Sequence, residues 1–163
     1  MSDQLNIAGI TTPGDAFIII VRTEWNAHIV DLLEKGCCRV LQDHHIEYAI
    51  VNVPGAFEIG FAIKNFWDNT TGKKPSAFIA LGCVLRGDTP HFEYVSNAVT
   101  NSVADLNLRL PVPVIFGVLT VNNQLQADER TGGAHGHKGK EAAITALKMI
   151  ALSQSFKTDS KKE

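Results

Sequence analysis

Short apolar runs rich in β-branched residues alternate along this chain with stretches of helical period, and that alternation leaves few folds open. Ala16-Phe17-Ile18-Ile19-Ile20-Val21-Arg22 is almost continuously apolar, the pattern of a strand buried on both faces. Behind it, Ile29, Val30, Leu33, Cys37, Val40 and Leu41 recur at i, i+3, i+4 spacing and predict a helix from Ala27 to His44. Tyr48 to Val53 predicts a second strand, ended by Pro54-Gly55. A helix from Ala56 to Trp67 then stops at the breaker cluster Asp68-Asn69-Thr70-Thr71-Gly72. Ala77 to Leu81, bounded by Pro75 and Gly82, is a third strand, followed by a helix from Phe92 to Leu108. Val112 to Thr120 is a fourth, with Pro113 near its start because proline cannot donate to a ladder. A short helix over Asn123 to Glu129 and a long amphipathic one over Lys138 to Phe156 complete the order. Such repeated β-α units predict an α/β fold: a parallel sheet with helices on both faces and right-handed crossovers.

The 163 residues suit a single domain with a sizeable core, carrying an N-terminal arm over Met1 to Gly14 and a solvated tail over residues 158–163. Two readings of the arm compete: a loose segment, or one that pairs with another subunit's sheet edge. A net charge of -2 gives no electrostatic case for nucleic acid or an acidic membrane as partner. The apolar runs fall far short of the ~20 residues that span a bilayer. Met1-Ser2-Asp3-Gln4 has neither the positive start nor the apolar stretch of a signal peptide. Cys37, Cys38 and Cys83 form no C-x-x-C pair, so reduced thiols and a cytoplasmic location are expected.

The chemistry concentrates in Gly82-Cys83-Val84-Leu85-Arg86-Gly87-Asp88-Thr89-Pro90-His91-Phe92, at the carboxyl end of a strand and the amino end of a helix. Ligands of open α/β sheets bind there. Gly87 permits close approach of backbone, Asp88, Thr89 and the following amides can face an anion, and His91 adds an imidazole, the one side chain type whose unperturbed pKa lies near neutrality. After the first strand, Trp25 can stack on a flat heteroaromatic ring with Asn26 beside it, or can simply cover the edge of the core. After the second, Glu58 can accept from a ligand's hydroxyls, or sit where a helix dipole favours a carboxylate. Arg130 and Lys138 flank a glycine-rich segment suited to a phosphate, or to a mobile surface turn. His44-His45 and His135-Gly136-His137 lack the companions of a metal site, so surface histidines are the favoured reading.

Val53-Pro54-Gly55-Ala56-Phe57-Glu58-Ile59, Leu81 to Phe92 and Pro113 to Thr120 resemble, in order, the 6,7-dimethyl-8-ribityllumazine synthase family, as do Glu129-Arg130 and Lys138-Gly139. The resemblance covers Ala16 to Phe156 and implies a flavodoxin-like three-layer sandwich around a four-stranded parallel sheet. It also implies condensation of 5-amino-6-(D-ribitylamino)uracil with 3,4-dihydroxy-2-butanone 4-phosphate, the penultimate step of riboflavin biosynthesis, with no metal or redox cofactor. Trp25 would stack on the pyrimidine, with Asn26, Ala56, Phe57, Cys83, Val84 and Leu85 lining its pocket and Glu58 binding ribityl hydroxyls. Asp88 and Thr89 would hold the phosphate through backbone amides, aided by Arg130 with Lys138 nearby, and His91 would transfer protons. Phe116 would reach across a subunit interface, with Arg130 contributed by the other chain. Expected partners are therefore copies of the same chain, as a pentamer or a shell of pentamers, and riboflavin synthase.

The chain departs from the family pattern at Trp25, where Phe is typical, at Gly60, where Pro is frequent, at His137, where Asn is frequent, and across Thr131 to His135. Two rival functions belong to other classes. A flavin-binding module would need no proton shuttle, and His91 with Arg130 argues against it. A shell-forming protein without turnover is opposed by intact Glu58, His91 and Arg130.

Overall fold

The computed structural model describes residues 9, 11 and 13–159. Its strands are β1 (Phe17–Thr23), β2 (Glu47–Val53), β3 (Ala77–Leu85) and β4 (Val114–Val121), paired in parallel in the order β2-β1-β3-β4. The helices are α1 (Ala27–Asp43), α2 (Ile59–Asn69), α3 (His91–Arg109), α4 (Gln124–Glu129) and α5 (Lys138–Asp159). Successive residues of a strand point to opposite faces, and Ile18, Ile19, Ile20 and Val21 have no exposed surface. Ile18 and Ile20 pack with Leu33 and Cys37 of α1 and Leu147 of α5, while Ile19 and Val21 pack with Ile59 and Ile63 of α2 and Val99 and Val103 of α3. Each such burial contributes about 2 kcal/mol, which is why this run takes an interior place in the sheet. The fold is the expected α/β sandwich.

Several boundaries move for identifiable reasons. β3 continues through Leu85 instead of stopping at Leu81, because Gly82 is a packing glycine and not a breaker. A Cβ there would stand 3.1 Å from Thr23 Cγ2 and 3.6 Å from Val118 Cγ1. β4 begins at Val114, and the carbonyl of Pro113 accepts from the Phe78 amide at 2.9 Å. Ala56–Glu58 form a 3₁₀ turn before α2, which runs on to Asn69. The segment after α4 is a hairpin, β5 (Thr131–Gly133) with β6 (Gly136–His137), made possible by positive φ at Gly132 and Gly136. α5 reaches Asp159, so the solvated tail expected from 158 gives way to helix at its first residues, the Thr158 hydroxyl donating to the Gln154 carbonyl at 2.9 Å. Most of the arm and residues 160–163 lie outside the described residues.

α1 and α5 touch backbone to backbone: a Cβ on Gly139 would stand 2.0 Å from the Leu33 carbonyl oxygen. The chain passes from β1 to β2 on one side and then crosses from β2 to β3 on the other side of β1, and the crevice between β1 and β3 opens at their carboxyl ends.

Candidate active site

Thr23 ends β1, and the loop behind it is tied to the loop after β2. Glu24 N donates to the Val53 carbonyl at 2.8 Å and Trp25 N to the Pro54 carbonyl at 3.1 Å. Asn26 then adopts the left-handed conformation (φ 58), and its side-chain amide donates to the Cys83 carbonyl at 2.9 Å. The amide is thereby committed to joining β1's loop to β3. The Trp25 ring lies against Gly55, where any Cβ would meet Trp25 Cε3 at 2.8 Å and Glu58 Oε2 at 3.0 Å. Glycine at this position is what lets the indole reach the strand ends. Glu58 Oε2 is buried with no hydrogen-bond partner among the described residues, an acceptor held ready for a donor.

Trp25, Asn26, Ala56, Cys83, Val84, Leu85 and His91 border one cleft of about 140 Å³, together with Thr23 and Val95. The last two were not singled out in the sequence. Val95 lies one helical turn after His91, a spacing that puts it on the same face of α3. His91 is the first residue of α3 and is exposed. Burial pushes the Cys83 thiol up to about 11, so it is protonated at neutral pH and serves as cleft wall, not nucleophile. Phe57 is 64% exposed on the outer side of the 3₁₀ turn and is not among the cleft's bordering residues.

Asp88 and Thr89 are exposed on the loop between β3 and α3. That loop is held at its root by Arg86, whose Nε donates to Asn122 Oδ1 at 2.8 Å and whose Nη1 pairs with Glu93 in the first turn of α3. Its guanidinium also lies 4.1 Å from the Phe92 ring centre. The hydrogen bond from Arg86 holds the Glu93 carboxyl below its ordinary range.

Phe116, Arg130 and Lys138 are elsewhere. They share a groove of about 530 Å³ along the outer edge of β4, formed with α4 and the start of α5. The Arg130 guanidinium is already engaged, Nη2 with Glu141 Oε2 at 2.9 Å and Nη1 with the His135 carbonyl. The cleft and the groove are thus separate spaces of one chain, the first between β1 and β3 and the second beyond β3 at β4. The expectation that Phe116 and Arg130 act from different chains is corrected: they line the same groove of one chain.

His137 of β6 is pressed onto α1, so closely that a Cβ on Gly36 would stand 2.2 Å from its Cε1. Burial, then the neighbouring Lys140 charge, holds its imidazole below the ordinary value of 6.5. A group that resists protonation only when folded leaves stability intact above pH 6.5 and drains it as the pH falls below that value, where the unfolded chain takes up the proton first. Replacing His137 by Asn is expected to flatten the acid limb. Thermal midpoints recorded from pH 7.5 to 5 check this, and equal slopes in both proteins would refute it.

The model of the 6,7-dimethyl-8-ribityllumazine synthase family matches residues 15–154. Proteins named 6,7-dimethyl-8-ribityllumazine synthase from three bacteria are similar over most of their length. That of Parabacteroides distasonis is 44% identical (82% of this chain, 84% of that one). That of Porphyromonas gingivalis is 46% identical (85% and 86%). That of Cytophaga hutchinsonii is 47% identical (81% and 83%).

Proposed function

The chain belongs to the 6,7-dimethyl-8-ribityllumazine synthase family, and from that premise we propose that it joins 5-amino-6-(D-ribitylamino)uracil to 3,4-dihydroxy-2-butanone 4-phosphate. The observation that carries this reading is the cleft between β1 and β3. Trp25, a neutral Cys83 and the Val84–Leu85 edge give a flat apolar slot, the free Glu58 oxygen adjoins Trp25, and His91 faces the same space. A pyrimidine stacked on Trp25 directs its ribityl hydroxyls toward Glu58, and the loop carrying Asp88 and Thr89 offers backbone amides to the second substrate's phosphate. The primary amine attacks the ketone and water leaves to give an imine. Phosphate is then eliminated, and the ribitylamino nitrogen closes the ring with loss of a second water.

Each step takes a proton from one atom and gives it to another, work for an imidazole such as that of His91, which can both accept and donate. Holding both substrates in one orientation supplies much of the rest.

A cleft of about 140 Å³ is small for two substrates, since ligand pockets commonly enclose ~300 Å³ or more. We infer that the β4 groove of a neighbouring copy completes it, bringing Phe116 over the ring and Arg130 and Lys138 to the phosphate in a pentameric assembly. Arg130 then keeps Glu141 and spends its remaining donors on the anion.

The test is an assay with both substrates that follows lumazine absorbance, in which omitting either abolishes the signal. No lumazine from the assembled protein would sink the reading. His91→Ala is expected to lower turnover by ~10- to 100-fold while leaving the affinity for the pyrimidine within about twofold. Turnover at the wild-type rate in that variant would remove His91 from the mechanism.

A further inference from the structure

We propose that the surface between α1, the β5–β6 hairpin and the first turn of α5 is a second anion site, one that takes small oligophosphates. A cleft of about 530 Å³ lies there, and it shares no bordering residue with the cleft at Trp25 or the groove at Phe116. Its size is in the range of small-molecule sites. Lys35 and Arg39 stand one turn apart on the same face of α1, and Lys140 faces them from α5. Gln42 and Thr131 add neutral polar groups, and among the described residues no carboxylate borders the space.

The nearby carboxylates are committed to other cations. Glu34 pairs with Arg22 at 2.6 Å and Glu141 with Arg130 at 2.9 Å. Asp43 meets Arg39 at 3.4 Å, but both are exposed, and such a pair competes weakly with a bound anion. Among the described residues Lys35 and Lys140 have no ion pair. His137, whose Nδ1 is buried without a partner among those residues, lines the cleft between the two helices and gives it a rigid polar wall.

Three cations supplied by two helices around a space of this size suit an anion with two or more phosphoryl groups better than a single phosphate. One phosphate satisfies one or two of them and leaves the others apart. The site does not depend on the catalytic reading, because neither lysine belongs to either half of the proposed active site.

The probe is inorganic pyrophosphate, titrated into the assembled protein by calorimetry at low salt while the imidazole resonances of His137 are followed by NMR. Pyrophosphate is expected to bind more tightly than orthophosphate and to shift the His137 signal. Lys35→Ala and Lys140→Ala should each weaken it by ~10-fold, as for loss of one charge-assisted contact. The Lys35→Arg and Lys140→Arg variants should hold it within about threefold, which separates lost charge from altered folding. Arg130→Ala, which strikes the other groove, should leave this binding and the His137 shift in place. Three results would overturn the proposal: no pyrophosphate binding at millimolar concentration, undiminished binding in the Lys35→Ala/Lys140→Ala double variant, or loss of all binding with Arg130→Ala alone.

Discussion

Subunits carrying His91→Ala and subunits carrying Arg130→Ala, each strongly impaired alone, are expected to recover about a quarter of wild-type turnover when dissociated, mixed equally and reassembled. His91 borders the cleft at β1 and β3, whereas Arg130 borders the groove at β4, and the two share no lining residue. If a complete site joins the cleft of one copy to the groove of its neighbour, random mixing leaves both halves intact at about one site in four. The companion mixture is the sharper test. Phe116→Ala with Arg130→Ala should show no rescue, because both lesions strike the same groove and every groove carries one of them. Rescue by that second pair, or none by the first in verified mixed oligomers, would reject sites shared between subunits. Dissociation to monomers should abolish turnover together with association.

The largest stability effect is expected from Gly139→Ala. The added methyl would stand 2.0 Å from the Leu33 carbonyl oxygen, inside any permissible contact, and the obstacle is backbone, not a side chain that can swing aside. α5 must move away from α1, opening the layer in which Leu33, Cys37, Ala143 and Leu147 interlock. Overpacking of this kind costs ~3 kcal/mol, and a chain of this size loses ~6–12 °C of thermal midpoint for it. A midpoint within ~2 °C of wild type would mean that the helices are not held at this distance. Gly60→Ala is a useful contrast. Its methyl would meet Ser102 Oγ at 1.7 Å, but that hydroxyl can rotate away, so the loss should be smaller.

Much of the frame was legible in the sequence because the interior strands carry two-sided apolar runs. Ile18 to Val21 had to be covered on both faces, and the helical spacing from Ile29 to Leu41 said what covered one of them. The cleft was legible for a related reason: its lining residues sit within a few positions of strand ends, so local order puts them at one edge of the sheet. What escaped depended on contacts distant in sequence. Gly82 looked like a stop because nothing local says that Thr23 and Val118 need the room a side chain would take. The hairpin at Thr131–His137 could be read only as a phosphate-suited loop or a mobile turn, because its order comes from α1, where Gly36 makes room for the His137 ring. That Phe116 and Arg130 line one groove escaped for the same reason: it is the pairing order that leaves β4 at the edge of the sheet, with α4 and α5 beside it.

The sheet also has another end. The turn between α2 and β3, Thr71 to Lys74, emerges at the amino edge of the sheet, away from the cleft, and all of it is exposed. A side chain on Gly72 would meet nothing within 4 Å. The chain is re-anchored at once on the far side, where Ser76 N donates to the Phe17 carbonyl at 2.7 Å and Pro75 is buried. Foreign sequence spliced in at Gly72 would therefore leave the registers of β1 and β3 pinned from beyond the splice. Each copy of the chain can in this way carry a passenger peptide on the end of the sheet that does no chemistry.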